Sequence, residues 1–206
     1  MQKNKKIITT RALLKHPTKR VESIEEGEEI AAELFNTLNS SGGIGLTANQ
    51  IGIDKSVFVV NVKEPKYFIN PTLLEVGQTV IPYVESCLSI PKKVVTTARY
   101  TYVKITADNL TEPVEFGNKI KTYTSIESIA EDNDLLECVA IQHEFDHTLG
   151  ILITDRSISI KPFNVDKKPG RNEKISVTKD GKSIFIKYKQ FEQYQKDGWE
   201  LENNDK

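Results

Sequence analysis

Two histidines at helical spacing constrain this chain more than any other feature. His143 and His147 stand four residues apart in the stretch QHEFDH, with Glu144 between them, in a chain that has 3 histidines in all. In an α-helix such positions share one face, so both imidazoles can reach the same cation. A glutamate directly after the first histidine can act as general base toward a water molecule on that cation. The pattern favours a metal-binding helix, and an exposed helix with a chance histidine pair is the alternative.

A third ligand must come from elsewhere in the chain. No histidine follows His147, which excludes metallopeptidases whose third ligand is a later histidine, and a downstream glutamate stays open. Cys87, in the stretch ESCLSIP, offers a thiolate, which zinc and iron both accept. The alternative for Cys87 is a small buried apolar residue. We prefer that interpretation for Cys138, which lies inside an apolar helical run.

Hydrophobic periodicity predicts an α+β fold. SIEEGEEIAAELFNTLNSSGG predicts a helix that is capped by Ser23 and ends at Gly42–Gly43, and IESIAEDNDLLECVAIQHEFDHTLG predicts a second long helix, which ends at Gly150. KSVFVVNV, YFINPTLLEV and TYVKITAD are apolar, β-branched runs that predict strands. Successive strands with helices at separate points indicate mixed or antiparallel sheets rather than an alternating parallel sheet.

The C-terminal part of the chain has a different character. KPFNVDKKPGRNEK is typical of a linker, ISVTKDGKSIFIKY predicts a hairpin turning at Asp180–Gly181, and KQFEQYQKDGWE predicts a short helix ending at Gly198. We therefore expect a catalytic domain over residues 1–164, followed over residues 165–206 by a linker and a small hairpin–helix appendage. The aromatic residues expected to form its small core, or to dock on the main domain, are Phe185, Phe191, Tyr194 and Trp199.

Composition excludes several classes of protein. A formal net charge of -1 provides no field that would draw nucleic acid or an anionic membrane. No apolar run approaches the roughly 20 residues of a membrane span, and none of secretory-signal length follows the N-terminal lysines. The 2 cysteines are too few for a disulfide framework. We expect a cytoplasmic protein, because an organellar transit peptide favours Arg and Ser and this N-terminus is rich in Lys.

A glycine-rich stretch, GGIGLTANQIG, adds a third constellation. Residues 43–48 match the dinucleotide fingerprint G-x-G-x-x-A, but that fingerprint must follow a strand, and here a helix precedes it. A bend that lets a substrate backbone approach, followed by the amide of Gln50, fits better, with a plain helix-to-strand turn as the alternative.

Taken in order, GIGLTANQ, ESCLS and QHEFDHTLG resemble the three motifs of the peptide deformylases, written G-x-G-L-A-A-x-Q, E-G-C-L-S and Q-H-E-x-D-H-L-x-G. The resemblance runs from about Leu13 to Ser157. Thr47, Ser86 and Thr148 depart from the motifs, which have Ala, Gly and Leu there. Ser86 adds a side chain at the substrate-facing bend and so bears on substrate range. Residues 107–134 look longer than in the family, which predicts an insertion before the metal helix.

The resemblance implies a deformylase fold, with its sheets around a central metal-binding helix. It implies a hydrolase that removes the N-formyl group from the formylmethionine of newly made polypeptides and releases formate, by attack of metal-bound hydroxide. One divalent metal is implied, with Fe²⁺ as the native ion and Zn²⁺, Ni²⁺ or Co²⁺ in purified protein. The implied partners are formyl-Met peptides of nascent chains and, transiently, the ribosome, with no nucleic-acid specificity and no membrane. The implied state is a monomer in a bacterial or phage-infected cell.

The resemblance also implies residue roles. It makes Cys87 the third metal ligand beside His143 and His147, and it makes Glu144 the residue that moves the proton. The Gln50 side chain and the backbone N–H of Leu88 would stabilise the developing oxyanion. Residues expected to contact the substrate are Gly43, Ile44, Gly45, Leu46, Leu136, Val139 and Ala140.

One further contact and two rival functions follow from the same residues. We expect Asp146 to pair with Arg99 and so to tie the metal helix to a strand, with a solvated aspartate as the alternative. The rivals are a metallopeptidase built on the same helix, and a catalytically idle homologue or binding module with a structural metal. Structural sites are closed by four protein ligands, whereas this sequence offers Cys87 and the two motif histidines.

Overall fold

A computed structural model of the protein describes residues 5–121, 123, 125–158, 174–179 and 182–201. The chain divides into two compact units, Met1–Ser159 and Ile160–Lys206. The elements of the first unit are α1 (Arg11–Leu14), α2 (Ile24–Ser41), β1 (Gly45–Thr47), a 3₁₀ turn η1 (Ala48–Ile51), β2 (Val57–Asn61), β3 (Pro65–Ile69), β4 (Thr72–Val76), β5 (Val80–Cys87), β6 (Ile90–Tyr100), β7 (Tyr102–Thr106), β8 (Val114–Gly117), α3 (Ile126–Ala130) and α4 (Asn133–Thr148).

Helix α2 begins and ends where its sequence predicts. The Ser23 hydroxyl accepts a hydrogen bond from the Glu26 amide at 3.2 Å, which satisfies one of the free N–H groups of the first turn. Gly42 ends the helix in the left-handed region, at φ 71°. Ile30, Leu34 and Leu38 are buried on one face. These observations confirm the predicted cap and the predicted end.

The strands form antiparallel sheets, as expected of the α+β class. The sheet orders are β1-β2-β3 and β4-β7-β8, and β5 pairs with β6 in a long hairpin. The run YFINPTLLEV is two strands, since the chain turns at Asn70, whose φ is 50°. Hydrophobic periodicity did not predict the hairpin β5–β6, and a strand was expected here only at Arg99. The hairpin matters because it carries both Cys87 and Arg99.

Helix α4 packs against β1, β2, β6, β7 and β8 and so lies at the centre of the unit. The prediction of one helix from Ile126 onward was wrong, because the chain breaks between α3 and α4. Asp132 caps α4 there, and its carboxylate accepts from the amides of Asp134 at 2.9 Å and Leu135 at 3.1 Å. Asp132 is therefore the N-cap of α4 and not a residue inside a longer helix.

The end of α4 needs a glycine for two reasons. Gly150 has a φ of 72°, and a Cβ at this position would lie 2.5 Å from the backbone nitrogen of His16. A side chain would therefore be strained by the backbone and would also collide with the N-terminal segment. The predicted stop at Gly150 is confirmed. None of the described helices is long and apolar enough to cross a membrane.

The second unit contains β9 (Lys174–Lys179), β10 (Lys182–Lys187), a 3₁₀ turn η2 (Tyr188–Gln190), α5 (Phe191–Lys196) and β11 (Glu200–Leu201), with the sheet order β10-β9-β11. The predicted pairing of the hairpin is confirmed, since Lys182 faces Lys179 in an antiparallel register. The turn at Asp180–Gly181, the linker and its boundary at residues 164–165, and the side chain of Phe185 lie outside the described residues.

A small apolar cluster holds this second unit together. Val177 and Ile186 are buried, and Phe191, Tyr194 and Trp199 pack against them. The rings of Tyr194 and Trp199 meet edge to face with centroids 5.9 Å apart. Three of the predicted aromatic residues therefore share one core. The helix ends at Lys196, just before Gly198, whose φ is 85°.

Candidate metal centre and substrate cavity

Two elements bring together three side chains that could ligate a metal ion. Cys87 ends β5, while His143 and His147 lie on one face of α4. One ligand atom from each lies within 4.8 Å of the others, and Cys87 Sγ is 3.3 Å from His147 Nε2. Among the described residues, this is the one cluster of at least three His, Cys, Asp or Glu side chains with such spacing. Helical spacing predicted the two histidines, and the resemblance to the deformylase motifs added Cys87.

The chemistry of these donors fits a divalent metal. His147 is 1% exposed, and its Nδ1 has no hydrogen-bond partner among the described residues. Burial holds the pKa of His147 well below its usual range and so favours the neutral ring that a metal ligand requires. A soft thiolate with two imidazoles suits zinc or iron.

A buried ion-pair network stands behind the first histidine. Glu85 Oε2 lies 2.7 Å from His143 Nδ1, and Glu85 Oε1 accepts from Arg99 Nε at 2.6 Å. Arg99 Nη1 also donates to Asp146 Oδ2 at 2.6 Å, which confirms the predicted pair. Burial raises the pKa of Glu85, but the bonds to His143 and Arg99 outweigh it and lower that pKa to about 2. An ionised Glu85 therefore fixes the orientation of His143.

Sequence reasoning did not single out Glu85, although it starts the motif that contains Cys87. The spacing to Cys87 could have indicated it. Alternate residues of a strand point to one face, and Glu85 and Cys87 are two residues apart. Arg156 was also missed. Its side chain, which is partly exposed to solvent, donates to Asp146 Oδ1 at 2.7 Å.

Glu144 is part of α4, and its side chain contacts β1. It is 4% exposed, and burial raises the pKa of its carboxyl group. Its Oε2 accepts from the Thr47 hydroxyl at 2.7 Å. A Cβ on Gly45 would lie 2.5 Å from Glu144 Oε1, so only a glycine lets β1 pass this close to the carboxylate.

Gln50 is held with its amide nitrogen toward Cys87. Its Oε1 accepts from the Thr47 amide at 2.8 Å. Its Nε2 then lies 3.2 Å from Ser89 Oγ and 3.6 Å from Cys87 Sγ. A donor so placed beside the ligand cluster can reach a carbonyl oxygen of a bound substrate.

A cavity of about 670 Å³ opens over this centre. Of the residues singled out from sequence for the site, those that line it are Gly43, Ile44, Gly45, Gln50, Ser86, Cys87, Leu88, Leu136, Val139, Ala140, His143 and Glu144. Leu46 and His147 do not line it, and the side chain of Leu46 is fully buried in the core. The hairpin adds lining residues that sequence reasoning did not name as contacts, among them Tyr83, Val84, Lys92, Lys93 and Val94.

Known proteins share this sequence and this fold. Residues 5–163 match the family model of the polypeptide deformylases. A peptide deformylase of Phenylobacterium zucineum is 30% identical over 177 residues, which cover 82% of this chain and 96% of the relative. One from Prochlorococcus marinus strain AS9601 is 34% identical over 171 residues, covering 79% and 78%.

The solved structure of the Thermotoga maritima peptide deformylase superposes with a TM-score of 0.63 at 28% identity, and it covers 77% of this chain and 100% of its own. The expected deformylase fold is thereby confirmed. Because the family match spans most of its length, this chain belongs to the polypeptide deformylase family and is a metal-dependent hydrolase that removes the N-formyl group from newly synthesised polypeptides.

Proposed function

We propose that Cys87, His143 and His147 hold the divalent metal and that Glu144 moves the proton during deformylation. When bound, such a metal acidifies a water molecule and polarises the formyl carbonyl. Glu144 takes the proton of the attacking water and gives it to the amine nitrogen as the C–N bond breaks and formate leaves. The convergence of the three ligand atoms within 4.8 Å carries this proposal.

Two donors are proposed to stabilise the negative charge that develops on the formyl oxygen. They are the Gln50 side-chain amide and the backbone N–H of Leu88. The bond from the Thr47 amide to Gln50 Oε1 supports this role, because it fixes which end of the side chain faces the cavity. A donor that is already oriented needs no rearrangement as charge builds up.

The substrate is proposed to bind as an added strand. Strand β1 is at the edge of its sheet, with β2 on one side, so Ile44, Gly45 and Leu46 can pair with an extended peptide through their backbone. Leu46 contributes only its backbone, because its side chain is buried. Ile44, Leu136, Val139 and Ala140 would receive the methionine side chain, and Gly43 leaves room at the entrance.

The setting follows from the substrate. We propose that the protein acts as a monomer in the cytoplasm of a bacterial or phage-infected cell. A transient contact with the ribosome fits this role, since nascent chains emerge there. We propose neither nucleic-acid specificity nor a membrane contact. A single monomeric peak in size-exclusion chromatography with light scattering is the expected result.

The direct test of the reaction is formate release from formyl-Met-Ala-Ser by protein purified without oxygen, with metal content measured on the same sample. We expect one formate to be released for each free peptide amine that forms, and about one metal ion per chain. An unformylated peptide and an internal peptide bond serve as controls. Cleavage of the internal bond without formate release would favour the metallopeptidase instead.

The identity of the metal gives a separate prediction. We propose Fe²⁺ as the native ion, because iron expands its coordination readily when a carbonyl oxygen joins it, although thiolate and imidazole also bind Zn²⁺ well. Protein purified in air is expected to carry zinc or nickel. Anaerobic replacement by Fe²⁺, Ni²⁺ or Co²⁺ should then raise kcat. A zinc form as fast as the iron form at saturating substrate would refute the iron preference and leave the reaction assigned.

The C-terminal unit is predicted to be dispensable for the reaction. All proposed site residues lie in Met1–Ser159. Ending the chain after Asp166 should leave kcat/KM for a short formylated peptide within about twofold of the full chain. Circular dichroism and metal content check that the shortened protein is folded. A large loss of activity in a folded, metal-loaded protein would show that residues 167–206 shape the site.

A further inference from the structure

Thr47 makes a contact that the deformylase motif does not provide. The motif has alanine at this position, whereas Thr47 places a hydroxyl 2.7 Å from Glu144 Oε2 and 3.1 Å from the Glu144 backbone oxygen. A hydroxyl has one proton to donate, and a bond to an ionised carboxylate is stronger than one to a backbone carbonyl. The shorter distance agrees with donation to the carboxylate.

The surroundings of this carboxylate make the contact important. Thr47 is fully buried, and no other described residue donates a hydrogen bond to the Glu144 side chain. Gly45 packs against the opposite carboxylate oxygen without offering a donor from a side chain. The orientation of the carboxylate is therefore set by packing against Gly45 on one side and by the Thr47 hydroxyl on the other.

Thr47 lies outside the region that touches the substrate. It does not line the cavity, unlike its neighbours Gly45 and Gln50. Its backbone amide holds Gln50 Oε1 at 2.8 Å, and this bond does not depend on the Thr47 side chain. The Thr47 side chain also accepts from the backbone N–H of Gln50, in the capping box of η1. Replacing this side chain should therefore remove its contacts to Glu144 and to the Gln50 backbone, while the bond from the Thr47 amide to Gln50 Oε1 remains.

We propose that Thr47 is a positioning residue, whose hydroxyl holds the Glu144 carboxylate in the orientation from which it transfers the proton. The proposal rests on the proposed role of Glu144. Without the hydroxyl, the carboxylate samples other orientations, and a proton-transfer group is effective only when it is within hydrogen-bond reach of its proton. The chemical step should slow down, while binding of the substrate should not change.

Three variants test the proposal. Thr47→Val keeps the shape and removes the hydroxyl, Thr47→Ala installs the residue of the family motif, and Thr47→Ser restores a hydroxyl. We expect kcat to fall about tenfold in the valine and alanine variants with KM within about twofold, because a hydrogen bond to a charged group is lost. The serine variant should keep at least about half of the kcat, since it can make the same bond.

A double variant separates positioning from structural damage. In the Glu144→Gln background, adding Thr47→Val should cause no further loss of kcat, because both changes act through the same group. If Glu144→Gln is itself fully active, the assignment of Glu144 is wrong. If Glu144→Gln is inactive but both hydroxyl-free variants keep wild-type kcat, the positioning role is wrong. A rise in KM at unchanged kcat would also overturn it. Metal content and thermal unfolding are measured for every variant. If Thr47→Val does not fold, the comparison of kcat between Thr47→Ala and Thr47→Ser tests the positioning role instead.

Discussion

Replacing Glu144 by glutamine is expected to lower kcat by about 10²- to 10⁴-fold, the usual contribution of a general acid–base group, while the metal stays bound. Glutamine has the size of glutamate and still accepts the Thr47 hydroxyl, but it cannot take a proton from water. KM should change little, because the substrate-binding residues are untouched. Formate release at saturating peptide and metal analysis of the purified variant measure the two quantities.

A second glutamate of the same helix supplies the matched control. Glu137 is 5% exposed and bonds to Lys66 Nζ at 2.9 Å, but it does not line the cavity. Glu137→Gln is expected to keep kcat within about twofold, since it is remote from the reacting atoms. Loss of the metal in Glu144→Gln would mean that the ligand set is wrong. Near-normal turnover with the metal bound would remove Glu144 from the mechanism.

The sequence predicted the parts of the site that depend on local spacing. His143 and His147 follow from helical periodicity, and Gly150 from the rule that a helix ends at a left-handed residue. Cys87 and Gln50 needed the order of the three motifs, because neither residue carries a signal of its own. Of these residues, Gln50, Cys87 and His143 line the cavity.

Local spacing could not predict contacts between residues that are far apart in the sequence. The bond from Thr47 to Glu144 joins residues 97 positions apart, and the contact from Glu85 to His143 spans 58. The pairing of Arg99 with Asp146 was predicted from the position of Asp146 beside His147, and no helical or strand period links the two residues. A helical or strand period reports which face a residue occupies, and it does not report which side chain of another element meets that face.

The hairpin β5–β6 was missed for a related reason. Val84 and Val94 are 65% and 64% exposed, so apolar residues stand on both of its faces and the alternation typical of a half-buried strand is weak. The break between α3 and α4 was missed although Asp is a common N-cap residue. The run EDND offers several side chains that could cap a helix, and only the conformation shows that Asp132 does so. Both errors lie beside the site, since the hairpin forms one wall of the cavity.

The network around Arg99 leads to the second large effect. Arg99 is 2% exposed and bridges Glu85 on its own hairpin to Asp146 on α4. Both carboxylates are buried as well, at 6% and 5% exposed. Removing the shared cation would leave two buried negative charges close together, and the protein would lose the tie between the metal helix and the hairpin.

Arg99→Leu is therefore expected to lower the free energy of unfolding by about 3–5 kcal/mol, the usual penalty for breaking a buried ion pair. It should also weaken metal binding by roughly 10- to 100-fold, since Glu85 would no longer hold His143 in place. Arg99→Lys keeps the charge but lacks the planar set of donors, so its stability and metal affinity should lie between those of the wild-type protein and of Arg99→Leu.

Arg156→Leu is the matched control. Its side chain is 46% exposed and also bonds to Asp146, so the expected loss is at most about 1 kcal/mol. Urea unfolding and metal titration under a competing chelator measure both effects. Equal losses for Arg99→Leu and Arg156→Leu would show that burial of the network does not decide its contribution.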